Sequence, residues 1–250
     1  MAVSVDTVYQ RVLAILNKEQ RGYVTPQEFN LFANQAQLDI FEQYFYDINQ
    51  FGRIPGNDTE FSDMLNILNE KINIFETNAP MTYSSITTYW TTPSNLYRLG
   101  TIVYANVTTS KSLYPTPNTI VTTTTLTEAE RINYNEYLYI AQSSMTKPTN
   151  ARPVFVANQS GYKVYGNAAL TTGVSCNYIR VPLEVNWAYQ MVFGEALYDS
   201  TNSVDFELHA SEETELVIKI LALAGLVTKE IDLYSIASQE DAKNTQQEKA

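Results

Sequence analysis

The stretch DFELHASEETELVIKILALAG, Asp205 to Gly225, sets the reading of the fold. Phe206 and Leu208 alternate with polar neighbours, as on one side of a short strand. Ser211 is a helix-capping type, and Glu212 and Glu213 then fall in a first turn, where the helix dipole favours negative charge. Leu216, Val217, Ile220, Leu221 and Leu223 follow at helical spacing and fill a broad apolar face. Strand, cap and helix are expected in that order. A helix this apolar needs cover, and the N-terminal part of the chain offers it.

That part reads as helices. Val5, Val8, Val12, Ile15 and Leu16 line one face. In TPQEFNLFANQAQLDIFEQYFYDI, Thr25 is an N-cap, Pro26 suits the first helical position and Glu28 completes a capping box. Phe29, Phe32, Ala33, Ala36, Ile40, Phe41 and Phe45 recur at helical spacing. Gly22 marks a turn before this helix, and Gly52, Pro55 and Gly56 a loop after it. A third helix is expected from Asn57 or Asp58 to about Asn78, on a stripe of Phe61, Met64, Leu65, Leu68, Ile72 and Phe75.

The character changes at Met81. YSSITTYW and LYRLGTIVYANVTT are rich in tyrosine, threonine and branched residues and read as strands. KSLYPTPNTIVTTTTLT reads as a loop with one strand at Thr119 to Thr123. LTEAERINYNEYLYIAQS reads as a helix, with Thr127 and Glu130 as a second capping box. ARPVFVANQSGYKVYG is a hairpin turning at Asn158 to Gly161, and VSCNYIRV is a strand ended by Pro182. Val185 to Tyr198 is compatible with a helix, or with a loop and a helix. The end, SIASQEDAKNTQQEKA, is polar, and is expected to fray or to order only on a partner.

These readings give an α+β fold: a helical bundle built from the N- and C-terminal helices, with a β-rich central insertion. The expected parts are a helical 1–80, a β-rich 81–182 with one short helix, 183–236 packing back on the helices, and a flexible polar 237–250.

Little chemistry is offered. His209 is the one histidine, so a two-histidine metal helix is excluded, and Glu212 and Glu213 are explained as first-turn acids. A serine triad would need His209 as its base, but no G-x-S-x-G elbow is present. Cys176 is the one cysteine, inside an apparent strand, and reads as a small buried hydrophobe. There is no phosphate loop, calcium loop or run of eighteen apolar residues, and the first residues lack the pattern of a secretory signal. No catalytic residue, metal or cofactor is expected, and the chain is not expected to be an enzyme; an acid-dependent hydrolase is the residual possibility among catalysts.

The formal charge is −11, which repels nucleic acid at long range. The 18 tyrosines tilt the reading toward assembly, because tyrosine suits contacts that are apolar at the centre and polar at the rim. In FEQYFYDINQF, Phe41, Phe45 and Ile48 are set for the core, which leaves Tyr44, Tyr46 and Phe51 as candidate interface residues. Tyr137, Tyr139 and Trp187 are candidates for the same reason, and Arg180 in its strand for an acid on a partner. Thr25, Glu28 and Ser211 are expected as structural caps.

Taken together, RGYVTPQEFNLFANQAQLDIFEQYF, SSMTKPTNARPVFVANQSGYKVYG, YIRVPLEVNWAY and DFELHASEETELVIKILALAG resemble proteins of tailed phages of the crAss-like group and related phages of Bacteroidetes. Members of that family look like ring or adaptor proteins of the head–tail connector. The resemblance implies a virion protein, made in the host cytoplasm and placed at the head–tail junction as a homo-oligomeric ring, twelvefold by the same resemblance. Its implied partners are the portal and other connector or tail proteins, with DNA passing through the lumen without sequence-specific binding, and no membrane. The tyrosine-rich β region keeps an alternative open, a tail or receptor- or glycan-binding virion module.

Overall fold

The two ends of the chain fold together and its middle folds separately: one unit is Met1–Ile74 with Pro182–Ala250, the other Phe75–Val181. The structure is a computed structural model and describes residues 3–18, 24–52, 63–112, 119–227, 237–240 and 242–243. The turn at Gly22, the loop at Pro55 and Gly56, the expected helix start at Asn57 to Phe61 and most of the polar tail lie outside the described residues. The helices are α1 (Val5–Lys18), α2 (Pro26–Phe51), α3 (Met64–Asn73), α4 (Tyr134–Gln142) and α5 (Glu213–Val227). The strands are β1 (Glu76–Pro80), β2 (Thr82–Ser84), β3 (Tyr89–Thr91), β4 (Leu96–Ser112), β5 (Thr119–Arg131), β6 (Val154–Asn158), β7 (Gly161–Tyr165), β8 (Val174–Arg180), β9 (Tyr189–Val192) and β10 (Glu195–Tyr198). The fold is α+β, with helices from both ends of the chain around a β-rich centre of the sequence.

In the helical unit, α2 packs on α3 and α5, and α1 packs on α5. Val5, Val8, Val12, Phe29, Ala33, Ala36, Ile40, Phe41, Leu216 and Ile220 are all buried, as their spacing requires. Thr25 caps α2 in a full capping box. Its hydroxyl accepts from the Glu28 N–H, while its own N–H donates to the Glu28 carboxylate at 2.9 Å. The Thr25 N–H and the Thr25 hydroxyl, which donates to the same carboxylate at 2.8 Å, hold the Glu28 carboxyl below the usual carboxylate range.

One face of α2 also acts as a surrogate strand. Asn34 takes both backbone groups of Val185, accepting its N–H at 2.7 Å and donating to its carbonyl at 2.9 Å. Asn30 does the same for Trp187, at 2.8 and 3.3 Å. Gln37 donates to the Leu183 carbonyl at 2.8 Å and accepts the Glu207 N–H at 3.1 Å. Three side-chain amides at i, i+4 and i+7 thus bond the backbone of the extended segment 183–187, which is otherwise bridged to another extended stretch at Asn186↔Val204.

Around the opening stretch, the expected strand reduces to a bridge between Phe206 and Val3. A 3₁₀ turn, Ala210–Glu212, precedes α5, so Ser211 lies inside the turn and does not cap it. His209 does, its Nδ1 accepting the Ser211 N–H at 3.3 Å. The Ser211 hydroxyl donates instead to Glu212, which is buried and paired with Lys71. Val185 to Tyr198 holds no helix. It carries the β9–β10 hairpin, whose turn uses positive φ at Phe193 (53°) and Gly194 (89°), the backbone that a two-residue hairpin with right-handed twist needs.

The middle unit is an eight-stranded sheet of order β1-β8-β4-β5-β6-β7-β3-β2, antiparallel except between β5 and β6. Its core gathers Met81, Trp90, Ile102, Ala129, Phe155, Val164, Val174, Cys176 and Tyr178. α4 covers Ile132, Val154, Val156 and Tyr165 with Tyr137 and Ile140. The β6–β7 hairpin turns where expected. Gly161 sits at φ 131°, and a Cβ there would come within 2.4 Å of the Trp90 carbonyl.

Three expectations fail in this unit. The third helix ends at Asn73, because Glu76–Pro80 pairs with β8 as β1. The strand expected at Thr119 to Thr123 is longer, because β5 runs on to Arg131 and pairs with β4 in register from Ile102↔Ala129 to Ser112↔Thr119; the part of the expected loop at 113–118 lies outside the described residues. Thr127 caps no helix, because its hydroxyl donates across that hairpin to the Tyr104 carbonyl at 3.2 Å, and α4 begins only at Tyr134. In each case cross-strand bonding outweighed the local signal.

Candidate functional site

The seven candidate interface residues are divided between the two units. In the helical unit, Trp187 is 2% exposed and Tyr44 4%, so both belong to the core. The Trp187 ring packs on Tyr9 at 4.3 Å, with Tyr198 at 5.7 Å and Tyr189 at 5.9 Å, and its indole N–H donates to Asp6 at 3.0 Å. Tyr44 lies under the Lys71 ammonium, 5.5 Å from its ring centre. Phe51 is half-buried, and Tyr46 is exposed. In the sheet unit, Tyr137 stacks on Tyr165 at 3.9 Å, the Arg180 guanidinium lies 5.9 Å from the centre of the Phe75 ring, and Tyr139 is exposed. These residues make no single surface.

The surface that stands out is the outer part of the β4–β5 hairpin. Opposed residues of an antiparallel pair share a face, and faces alternate along the strand. One face carries Ile102/Ala129 and Tyr104/Thr127, then Asn106/Thr125 and Thr108/Thr123; the other carries Val103/Glu128, then Ala105/Leu126, Val107/Thr124 and Thr109/Thr122. Near residue 105 the apolar side therefore changes over. The face continuous with the core becomes polar, and its Thr108 and Thr125 hydroxyls bond to cross-strand carbonyls. The face that begins with Glu128 becomes apolar, with Leu126 72%, Val107 56% and Ile120 68% exposed.

This arm is bare on both edges among the described residues. β8 pairs with β4 only as far as Tyr104, and β6 pairs with β5 only at Glu130 and Arg131. From Ala105 to Ser112 the ribbon runs on for about 25 Å at the usual rise of a strand. A two-stranded ribbon alone in water is marginal. Residues 99–112 and 119–127 contain one charged residue, Lys111, opposite Ile120.

At the other end of the same strand pair lies a groove of about 810 Å³. It arises because β5 stops at Arg131 while β6 continues to Asn158. Leu99, Phe155, Ala157 and Tyr162 line it, with Arg98, Arg131, Glu128 and Glu130 at its sides. A second, smaller cleft of about 290 Å³ lies between Tyr89, Tyr134, Asn158, Lys163 and Tyr165. The Lys163 ammonium sits 5.8 Å from the Tyr89 ring centre and 5.7 Å from that of Tyr165.

Among the described residues no three His, Cys, Asp or Glu side chains gather in a way that could hold a metal ion, and no helix is long and apolar enough to cross a membrane. His209 is engaged in its cap, and burial pushes the Cys176 thiol pKa up, away from nucleophilic use. No protein-family model and no curated protein sequence matches the chain. Sequence reasoning missed the arm and the amide face of α2. The first had a signal in the period-two placing of Ile120, Leu126 and the threonines, and the second in the spacing of Asn30, Asn34 and Gln37.

Proposed function

We propose that this chain is a structural virion protein, one subunit of a ring in the phage head-to-tail connector, an adaptor between portal and tail around the DNA channel. The observation that carries the reading is the arm: a ribbon without acidic side chains whose largely apolar face is turned away from its own core and left in water. Such a face is understood as one half of a protein contact. The sequence resemblance supplies the setting, and the net charge of −11 suits a channel wall past which phosphates slide without sticking. Cryo-electron microscopy of purified particles tests the proposal. Ring density on the portal–tail axis that fits this chain is the expected result, and its absence from that axis refutes the proposal.

The cleft around Lys163 favours a second reading, a glycan-binding virion module, since tyrosine faces beside an amine and an amide are groups that hold a sugar ring. A glycan screen with the purified chain decides it: specific binding that is lost in Lys163→Met supports this reading, and an empty screen removes it.

A further inference from the structure

We infer that the apolar face of the β4–β5 arm docks in the β4–β6 groove of a second copy of this chain. The inference rests on the assembly reading above and names the contact through which copies join. Donor and acceptor lie at opposite ends of one strand pair: the arm runs out past Ala105 and Leu126, and the groove opens at Arg98 to Thr101 and Glu128 to Arg131. At the usual rise, residues 101 and 110 of β4 are about 30 Å apart, so the arm cannot fold back into its own groove. Made one way between successive copies, the contact is head to tail, a heterologous arrangement that closes into a ring or runs on as a chain of subunits, whereas two copies that exchange arms would close as a dimer.

The chemistry of the two surfaces matches. Leu126, Val107 and Ile120 offer branched side chains, and Leu99, Phe155, Ala157 and Tyr162 offer an apolar floor. Charge selects the partner. Two copies carrying −11 each repel, and a contact between them is least opposed where one side brings no negative charge. Between residues 105 and 112 and residues 119 and 127 the arm brings no acid and a single base, Lys111, opposite Ile120, while the groove carries both signs, Arg98, Arg131, Glu128 and Glu130. A ribbon of this length buries less than a stable two-body interface requires, so the contact gains strength from repetition around an assembly.

Cysteine cross-linking of the full chain tests this directly, because the native Cys176 is buried. Thr124→Cys lies on the apolar arm face and Ala157→Cys in the groove; both positions are exposed, so both variants retain the fold. Under mild oxidation the double variant is expected to give a ladder of covalent multimers on a non-reducing gel, and each single variant is not. Adding Leu126→Asp is expected to reduce the ladder by roughly tenfold or more, since a carboxylate then replaces a leucine that becomes buried in the contact. Dimers formed equally well by Thr124→Cys alone overturn the inference in favour of arms meeting arms. A double variant that gives no ladder and sediments as a monomer overturns it as well. Rings found on particles without the cross-link would overturn this contact and leave the connector reading standing. A ladder from a chain that never joins particles would do the reverse.

Discussion

Replacing Trp187 separates a core residue from an interface residue. The side chain is 2% exposed, it packs against Tyr9, Tyr189 and Tyr198, and its N–H is held by Asp6. Trp187→Ala removes the ring and leaves a cavity, a change that costs about 3–5 kcal/mol in a packed core. The lost bond to Asp6 adds little more, since Asp6 is half-buried and water can replace the indole. Trp187→Phe keeps most of the ring and loses the donor, so about 1–2 kcal/mol is expected. Urea unfolding followed by the helical signal in circular dichroism measures both. With a slope of about 2 kcal/mol per molar, the alanine variant should unfold roughly 2 M earlier than the parent. Trp90 remains as a fluorescent reporter of the sheet unit, whose core it joins. A loss below about 1 kcal/mol for Trp187→Ala would refute its placement in the core and return it to the surface.

Three further outcomes are expected. Asn34→Asp keeps the acceptor for the Val185 N–H but turns the donor into an acceptor facing the Val185 carbonyl, so it should cost about 2–3 kcal/mol by the same urea assay. Lys71→Met strands the buried Glu212 carboxylate and should cost about 3–5 kcal/mol, and adding Glu212→Gln should recover at least half of that. Burial, with Tyr137, Tyr134 and Tyr89 beside it, pushes the Tyr165 phenol up from 10.0 to about 12. The folded state thus favours the protonated phenol; its contribution to stability is intact below pH 10 and is lost as pH rises toward about 12. Ultraviolet titration should show a late-ionising tyrosine that Tyr165→Phe removes.

The helical half of the fold was legible because its signals were local and mutually consistent. Thr25, Pro26 and Glu28 announce the start of α2, and Phe29, Ala33, Ala36 and Ile40 keep its period. The errors came where a residue's role is set by a partner distant in sequence. Thr127 and Glu130 look like a capping box, yet the Tyr104 carbonyl, 23 residues away, takes the threonine hydroxyl. Ser211 looks like a cap, but the turn begins earlier, at His209. Trp187 has an aromatic surface that suits an interface, and only Tyr9 and Asp6, far up the chain, make it core. The arm escaped for a related reason. Its alternation is plain only once the register with the opposite strand is known, because threonine fills both faces and blurs the period.

The chain passes into the sheet unit along β1 and out of it along β8, and these two strands are zipped together, Glu76 opposite Ile179, with the Arg180 N–H on the Phe75 carbonyl at 3.0 Å. Opposed residues in such a pair stand about 5 Å apart, the gap that a tight turn spans. Residues 75–181 are therefore wired in as a cassette with touching ends. A host loop needs no rerouting to accept a cassette of this kind, and a lineage can lengthen, exchange or delete it while the helical unit keeps its own chain path. The arm and the groove travel together on that cassette, so a recombination event that transplants it carries both halves of the contact at once.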